Sequence, residues 1–208
     1  SSSRSNFKWL IITKYIIDNV LVFNALIGKD SSDFKSKVIP KIDLEALKNP
    51  TYKRKRFGVI RGFLDDSLYN AAVDLIKSKG AEIIIVDPKE ESLSGFLRLL
   101  NLDMQADLPL YFENFSSKNI YFNGVQSIID FNNGDSINRA PYGQKFFQGI
   151  VSDKASKREF KEIKKFLKTK GRAYFDQMME VHQLDGILSI NNYHAGYAAV
   201  AEYPALTV

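Results

Sequence analysis

Nucleophile, base and metal chemistry are thinly provided for in this sequence. It contains no cysteine, which removes a thiolate nucleophile, a disulfide and a cysteine-ligated metal together. The only histidines, His182 and His194, stand apart from each other and from any Cys partner, so no zinc site is expected. A serine nucleophile needs a base within reach and donors for an oxyanion, usually on a Gly-rich turn. No Gly-x-Ser-x-Gly elbow occurs, and Ser1-Ser2-Ser3 lacks glycines and reads as a frayed terminus. Dinucleotide-binding, P-loop and His-Glu-x-x-His patterns are absent as well. Asp65-Asp66 and Glu90-Glu91 sit where helix caps are expected rather than as paired catalytic carboxylates. His194 follows an apolar stretch, near a strand end of the kind where open α/β folds bind ligands. A hydrogen-bonded structural histidine is the simpler reading of it. On motifs alone the chain shows no complete active site, and no cofactor is expected.

Charge adds little. The 29 Lys and Arg outnumber the 24 Asp and Glu, for a net +5, and the excess is concentrated in two runs. One is Lys53 to Arg56. The other spans residues 154–170, with Lys154, Lys157, Arg158, Lys161, Lys164, Lys165, Lys168 and Lys170. A phosphate-binding surface is one reading. A solvated helix face is the preferred one, because no aromatic residues interleave as stacking platforms. Instead Phe160, Ile163, Phe166 and Leu167 follow helical spacing. Nucleic acid is therefore not expected as a partner. Lys14, Asp18 and Asn19 interrupt the early apolar run, so no membrane-spanning segment is expected, and no leader peptide is read. The compartment stays open, with the cytoplasm favoured.

The elements that would position any site are clearer. Composition is that of a globular chain, 45% hydrophobic and 25% charged. Residues 14–27 predict a helix, with Thr13 to cap it and Gly28 to end it. Residues 29–50 form a connector with a short helical stretch near Leu44 to Leu47. Residues 56–62 predict a strand. Asp65-Asp66-Ser67 then caps a helix whose apolar residues are Leu68, Ala72, Leu75 and Ile76, and Gly80 closes it. Ile83 to Val86 predict a strand covered on both faces. Strand, helix and strand with short joints make a βαβ unit with parallel strands.

Residues 92–150 are mostly helical, with a break at Asn132 to Ser136 and a restart at Pro141 to Gln144. Residues 156–183 predict the longest helix, with Gly171 inside it. Residues 186–190 predict a buried strand, 195–201 a close-packed Gly/Ala segment and 205–208 a last strand. The expected fold class is α/β: a mixed, largely parallel sheet covered by helices, in one domain spanning 1–208.

Four stretches resemble the C-terminal portion of the amidase signature family. Thr13 to Asp18, followed by Leu26 to Asp30, resembles a segment of basic residue, Thr, Val and Asp that leads to a helix ending in Gly and Asp. The βαβ unit, from Arg56 to Ile60 through Lys79 to Ile83, resembles the family's strand, helix and Gly-Ala-Glu step. Asp130-Phe131-Asn132 with Pro141-Tyr142-Gly143-Gln144 is similar to a block of peptide-amidase-like members. Leu184 to Leu188, then Ala198 to Val208, is similar to the family's Ala-Gly-Tyr-Pro-Ala-Leu-Thr-Val ending. The last match is the most specific. Departures include Glu202 where the family has Gly, and Leu10-Ile11-Ile12 where it has Gly-Pro-Met.

The resemblance implies hydrolysis of carboxamide C–N bonds by a nucleophilic Ser, a second Ser and a Lys base. It also implies that these lie upstream, so that this chain is the C-terminal part of a longer amidase domain truncated at both ends, and is inactive alone. The partner implied is a small amide or peptide-amide substrate. Two alternatives stand: a non-catalytic scaffold or binding module (a decayed paralogue), and the amidase subunit of an aminoacyl-tRNA amidotransferase. Asn132, Gln144 and Asn191 are the substrate-binding candidates. Uncharged amide side chains can donate to and accept from a neutral carboxamide without burying a charge. Turn capping is the competing reading for Asn132 and Asn191.

Overall fold

The computed structural model describes residues 13–31, 38–48 and 50–206. Expectations for Ser1 to Ile12 and for Thr207 and Val208 lie outside these residues. In chain order the elements are α1 (Ile16–Leu26), α2 (Leu44–Lys48), β1 (Arg56–Ile60), α3 (Ser67–Ser78), β2 (Glu82–Val86), α4 (Phe96–Phe115), α5 (Val125–Asn133), α6 (Ser136–Arg139), α7 (Lys145–Ser152), α8 (Lys157–His182), β3 (Gly186–Leu188) and α9 (Ala195–Ala201). The described chain forms two compact units. One comprises residues 92–171; the other comprises the described residues up to 91 together with those from 172 onward. Helix α8 contributes to both. No helix among the described residues is long and apolar enough to cross a membrane.

The second unit is an α/β layer structure, as expected. Its sheet has the order β2-β1-β3, all parallel. Phe57 stands opposite Ile83 on one side and Gly186 on the other. Side chains alternate across the strands. Val59 therefore joins Tyr69 and Val73 of α3, with Ile83 and Leu188, in one apolar cluster. Ile60 and Val86 join Tyr174 and Met178 of α8, with Leu184, in the other. Gly58 sits where a Cβ would lie 2.7 Å from a Leu184 methyl, so the close approach needs a residue without a side chain.

Helix α3 begins at Asp66, whose carboxylate accepts from the Tyr69 amide at 2.9 Å, and it ends before Gly80 at φ +97°. The buried face of α3 differs from the expected one. Tyr69 and Val73 are buried, whereas Leu68 and Leu75 are exposed, because the i, i+4 row through Tyr69 meets the sheet.

Other expectations are corrected in detail. Strand β3 ends at Leu188 rather than Ile190, and residues 191–194 turn. Leu206 is not in a strand. Thr13 does not cap α1: its hydroxyl donates to the Tyr15 carbonyl, and Ile27 rather than Gly28 makes the closing bond. Among the basic residues, Lys55 pairs with Asp185 and Arg56 with Glu82.

The helical unit has its own core, Val125, Ile129 and Ile150 with Leu108, Phe147 and Val151. Helix α8 starts with a reciprocal cap. The Ser156 amide donates to Glu159 Oε2 at 2.7 Å, and the Glu159 amide donates to Ser156 Oγ at 3.2 Å.

Candidate functional site

Two polar constellations stand out, one in each unit. In the helical unit Asn132 lies at the end of α5, and Gln144 precedes α7. Between them Asp135 caps α6, its carboxylate accepting from the Asn138 amide. Its hydrogen bonds to Asn138 hold that carboxyl below its ordinary value. Gly143, at φ +75°, takes the left-handed conformation that lets the chain turn back. The turn brings Asn132 and Gln144 together. Asn132 Nδ2 donates to Gln144 Oε1 at 3.1 Å. Gln144 Nε2 donates to Asn133 Oδ1 at 2.7 Å and to the Ile129 carbonyl at 3.4 Å. Both Gln144 donors are thus engaged, and both amide side chains are half-buried. The neighbouring Arg139 guanidinium covers the Phe131 ring at 3.9 Å and donates to the Phe131 carbonyl at 2.7 Å.

The second constellation lies at the carboxyl ends of the parallel strands. The ladder between β1 and β3 stops at Val59 and Leu188. There the Tyr69 hydroxyl takes the place of the next rung, accepting from the Ile60 amide at 3.0 Å and donating to the Leu188 carbonyl at 2.9 Å. Burial raises the Tyr69 pKa. Just beyond this wedge, exposed Ser189 has its Oγ 2.6 Å from Nδ1 of His194. The imidazole stacks on Tyr174, with centroids 5.3 Å apart and planes at 29°, and lies 5.6 Å from the Phe63 ring. Burial lowers the His194 pKa from its ordinary 6.5. Tyr174 itself stacks on Tyr197 at 4.1 Å. Its hydroxyl is pushed up to about 12 by burial first, then by Tyr197 and the charge of Glu90. Asn191 lies in the turn between Ser189 and His194 at φ +51°, a left-handed conformation that Asn tolerates better than most residues.

The three residues expected to bind substrate are thus distributed between the two units: Asn132 and Gln144 joined in one, Asn191 in the other. At the outer ends of β1 and β2, Arg61 Nε donates to both carboxylate oxygens of Asp87 at 3.0 Å. A cavity of about 380 Å³ in the same unit is bordered by Val86, Asp87, Glu91, Tyr174, Gln177 and His182. Sequence reasoning singled out His194 but missed Ser189 and the aromatic rings around the imidazole. The usable signal was a hydroxyl just past a strand, one short turn before a histidine. No group of three or more His, Asp or Glu side chains placed to hold a metal occurs among the described residues.

Comparison with known proteins identifies the fold. No family model matches the chain, and no curated protein matches it. Solved structures do. An amidase family protein from Bacillus anthracis str. Ames superposes with a TM-score of 0.75 at 23% identity, over 89% of this chain and 38% of that one. The peptide amidase PAM, in complex with the competitive inhibitor chymostatin, gives 0.71 at 18% identity, over 89% and 44%. Native peptide amidase from Stenotrophomonas maltophilia gives 0.70 at 18%, over 89% and 43%. The chain therefore has an amidase-like α/β fold, and it spans less than half the length of these proteins.

Proposed function

We propose that this chain is part of an amide hydrolase. In this reading a Ser nucleophile attacks the carboxamide carbon, and a Lys acting through a second Ser moves the proton to the leaving nitrogen. Backbone amides stabilise the oxyanion. All three catalytic side chains lie in sequence outside these 208 residues, and this chain supplies sheet strands, covering helices and part of the substrate site. The observation that carries the reading is the likeness to three solved amidase structures over nearly nine-tenths of the chain. The Tyr203-Pro204-Ala205-Leu206-Thr207-Val208 ending supports it from the sequence side.

In this account Asn132 and Gln144 of the helical unit, and separately Asn191 of the α/β unit, are the residues offered as substrate contacts. Because both Gln144 donors are engaged, Gln144 acts as an acceptor for the substrate amide N–H through its remaining lone pair.

The test is ammonia release from a C-terminal peptide amide by the full-length protein. Turnover that a serine-directed reagent abolishes and a chelator leaves intact is the expected result. Absence of turnover on peptide, aliphatic and aromatic amides alike would overturn the reading.

A further inference from the structure

Ser189 and His194 form a pair that the amide-hydrolase reading does not use. Three features set the pair apart from an ordinary surface hydrogen bond. The first is geometry. The 2.6 Å separation between Ser189 Oγ and Nδ1 is within the range over which a general base takes a hydroxyl proton. The second is fixity. Ser189 directly follows Leu188, whose carbonyl is held by the Tyr69 hydroxyl, and the imidazole contacts the rings of both Tyr174 and Phe63. The third is access. The base is half-buried while the hydroxyl is exposed, so an incoming group reaches Oγ without displacing the ring. Exposed Tyr193, 5.9 Å from the Phe63 ring, offers a flat apolar neighbour to an aromatic group arriving there.

We propose that Ser189, activated by His194, is a second reactive hydroxyl that accepts an acyl group from aryl esters. In the reactive form the ring is neutral with its proton on Nε2, and the Ser189 hydroxyl donates to Nδ1. Oγ attacks the ester carbonyl as its proton passes to Nδ1, the Oγ–C bond forms, the C–O bond to the aryl group breaks, and the phenol leaves with the proton from Nδ1. Water then attacks the acyl carbon, giving a proton to Nδ1. The Oγ–C bond breaks, the carboxylic acid departs, and Ser189 recovers its proton. The sum is ester plus water giving acid plus phenol, with no other reactant.

The probe is p-nitrophenyl acetate, with mass-spectrometric mapping of the acetyl group on the protein. Mapping separates this claim from the amide-hydrolase reading, whose serines lie elsewhere, so either can fail alone. Acetylation concentrated on Ser189 is the expected result. His194→Phe, which keeps an aromatic ring in the stack but removes the base, should slow Ser189 acetylation by about a hundredfold, the usual scale of a lost general base. Ser189→Ala alters one exposed side chain and should remove the corresponding part of nitrophenol release, with its circular dichroism spectrum unchanged. Acetyl groups on lysines or on His194 with Ser189 unmodified would overturn the proposal. So would equal Ser189 acetylation in the wild type and in folded His194→Phe.

Discussion

Strands β1 and β2 have similar apolar composition and unequal exposure. In β1 the last three residues are buried, with Val59 inaccessible to solvent and Ile60 nearly so. In β2 Val86 is buried, Ile83 and Ile84 are half-covered, and Ile85 is 46% exposed. Propensity does not separate them, since both carry β-branched residues suited to a strand. Position does: β1 lies between two parallel neighbours and β2 at the sheet edge. Helix α3 covers Ile83 through the Val59 cluster but leaves Ile85, on the same face, open. Apolar content thus reports that a strand exists, while the layer order determines how much of it is covered.

The comparison can be broken by substitution. Val59→Ala removes two methyl groups from a fully buried site and should lower the unfolding free energy by about 2 kcal/mol or more, read from urea denaturation. Tyr69→Phe leaves the Ile60 amide and the Leu188 carbonyl without their shared partner at the β1–β3 end, and should cost about 1–2 kcal/mol. Ile85→Ala, on the open part of β2, should cost under about 1 kcal/mol, because much of that side chain is already in water. An Ile85 effect as large as that at Val59 would mean that β2 is buried in solution and that the edge assignment is wrong.

Much of this layer was legible in the sequence. The βαβ unit follows from two apolar runs, a capped helix and Gly80 between them, and the observed register has the expected parallel sense. The buried face of α3 was not legible. Leu68, Ala72, Leu75 and Ile76 make a plausible apolar stripe, yet the sheet selects Tyr69 and Val73, because the tyrosine must reach the strand ends with its hydroxyl. The extent of β3 was misjudged for a related reason. Ile190 has strand propensity, but the Tyr69 wedge ends the ladder two residues earlier.

The sites show the same division. Asn132 and Gln144 were paired by the helix break and the Gly143 turn, both visible as residue types. The contact of Ser189 with His194 depends on a turn through Asn191 at positive φ and on rings supplied by Phe63 and Tyr174. The hydroxyl one short turn before the histidine is visible locally, but the rings come from positions far away in the sequence.

The most direct test of the account is the kcat/KM of the full-length protein for a peptide amide, measured for Gln144→Ala and Asn191→Ala with Ser78→Ala, whose exposed hydroxyl only donates to the Leu75 carbonyl of its own helix, as a control. The account predicts about a tenfold loss of kcat/KM in each of the first two variants, the scale of one or two substrate hydrogen bonds, with near wild-type kinetics in the control. Unchanged kcat/KM in both Gln144→Ala and Asn191→Ala would contradict it and leave these residues a purely structural role.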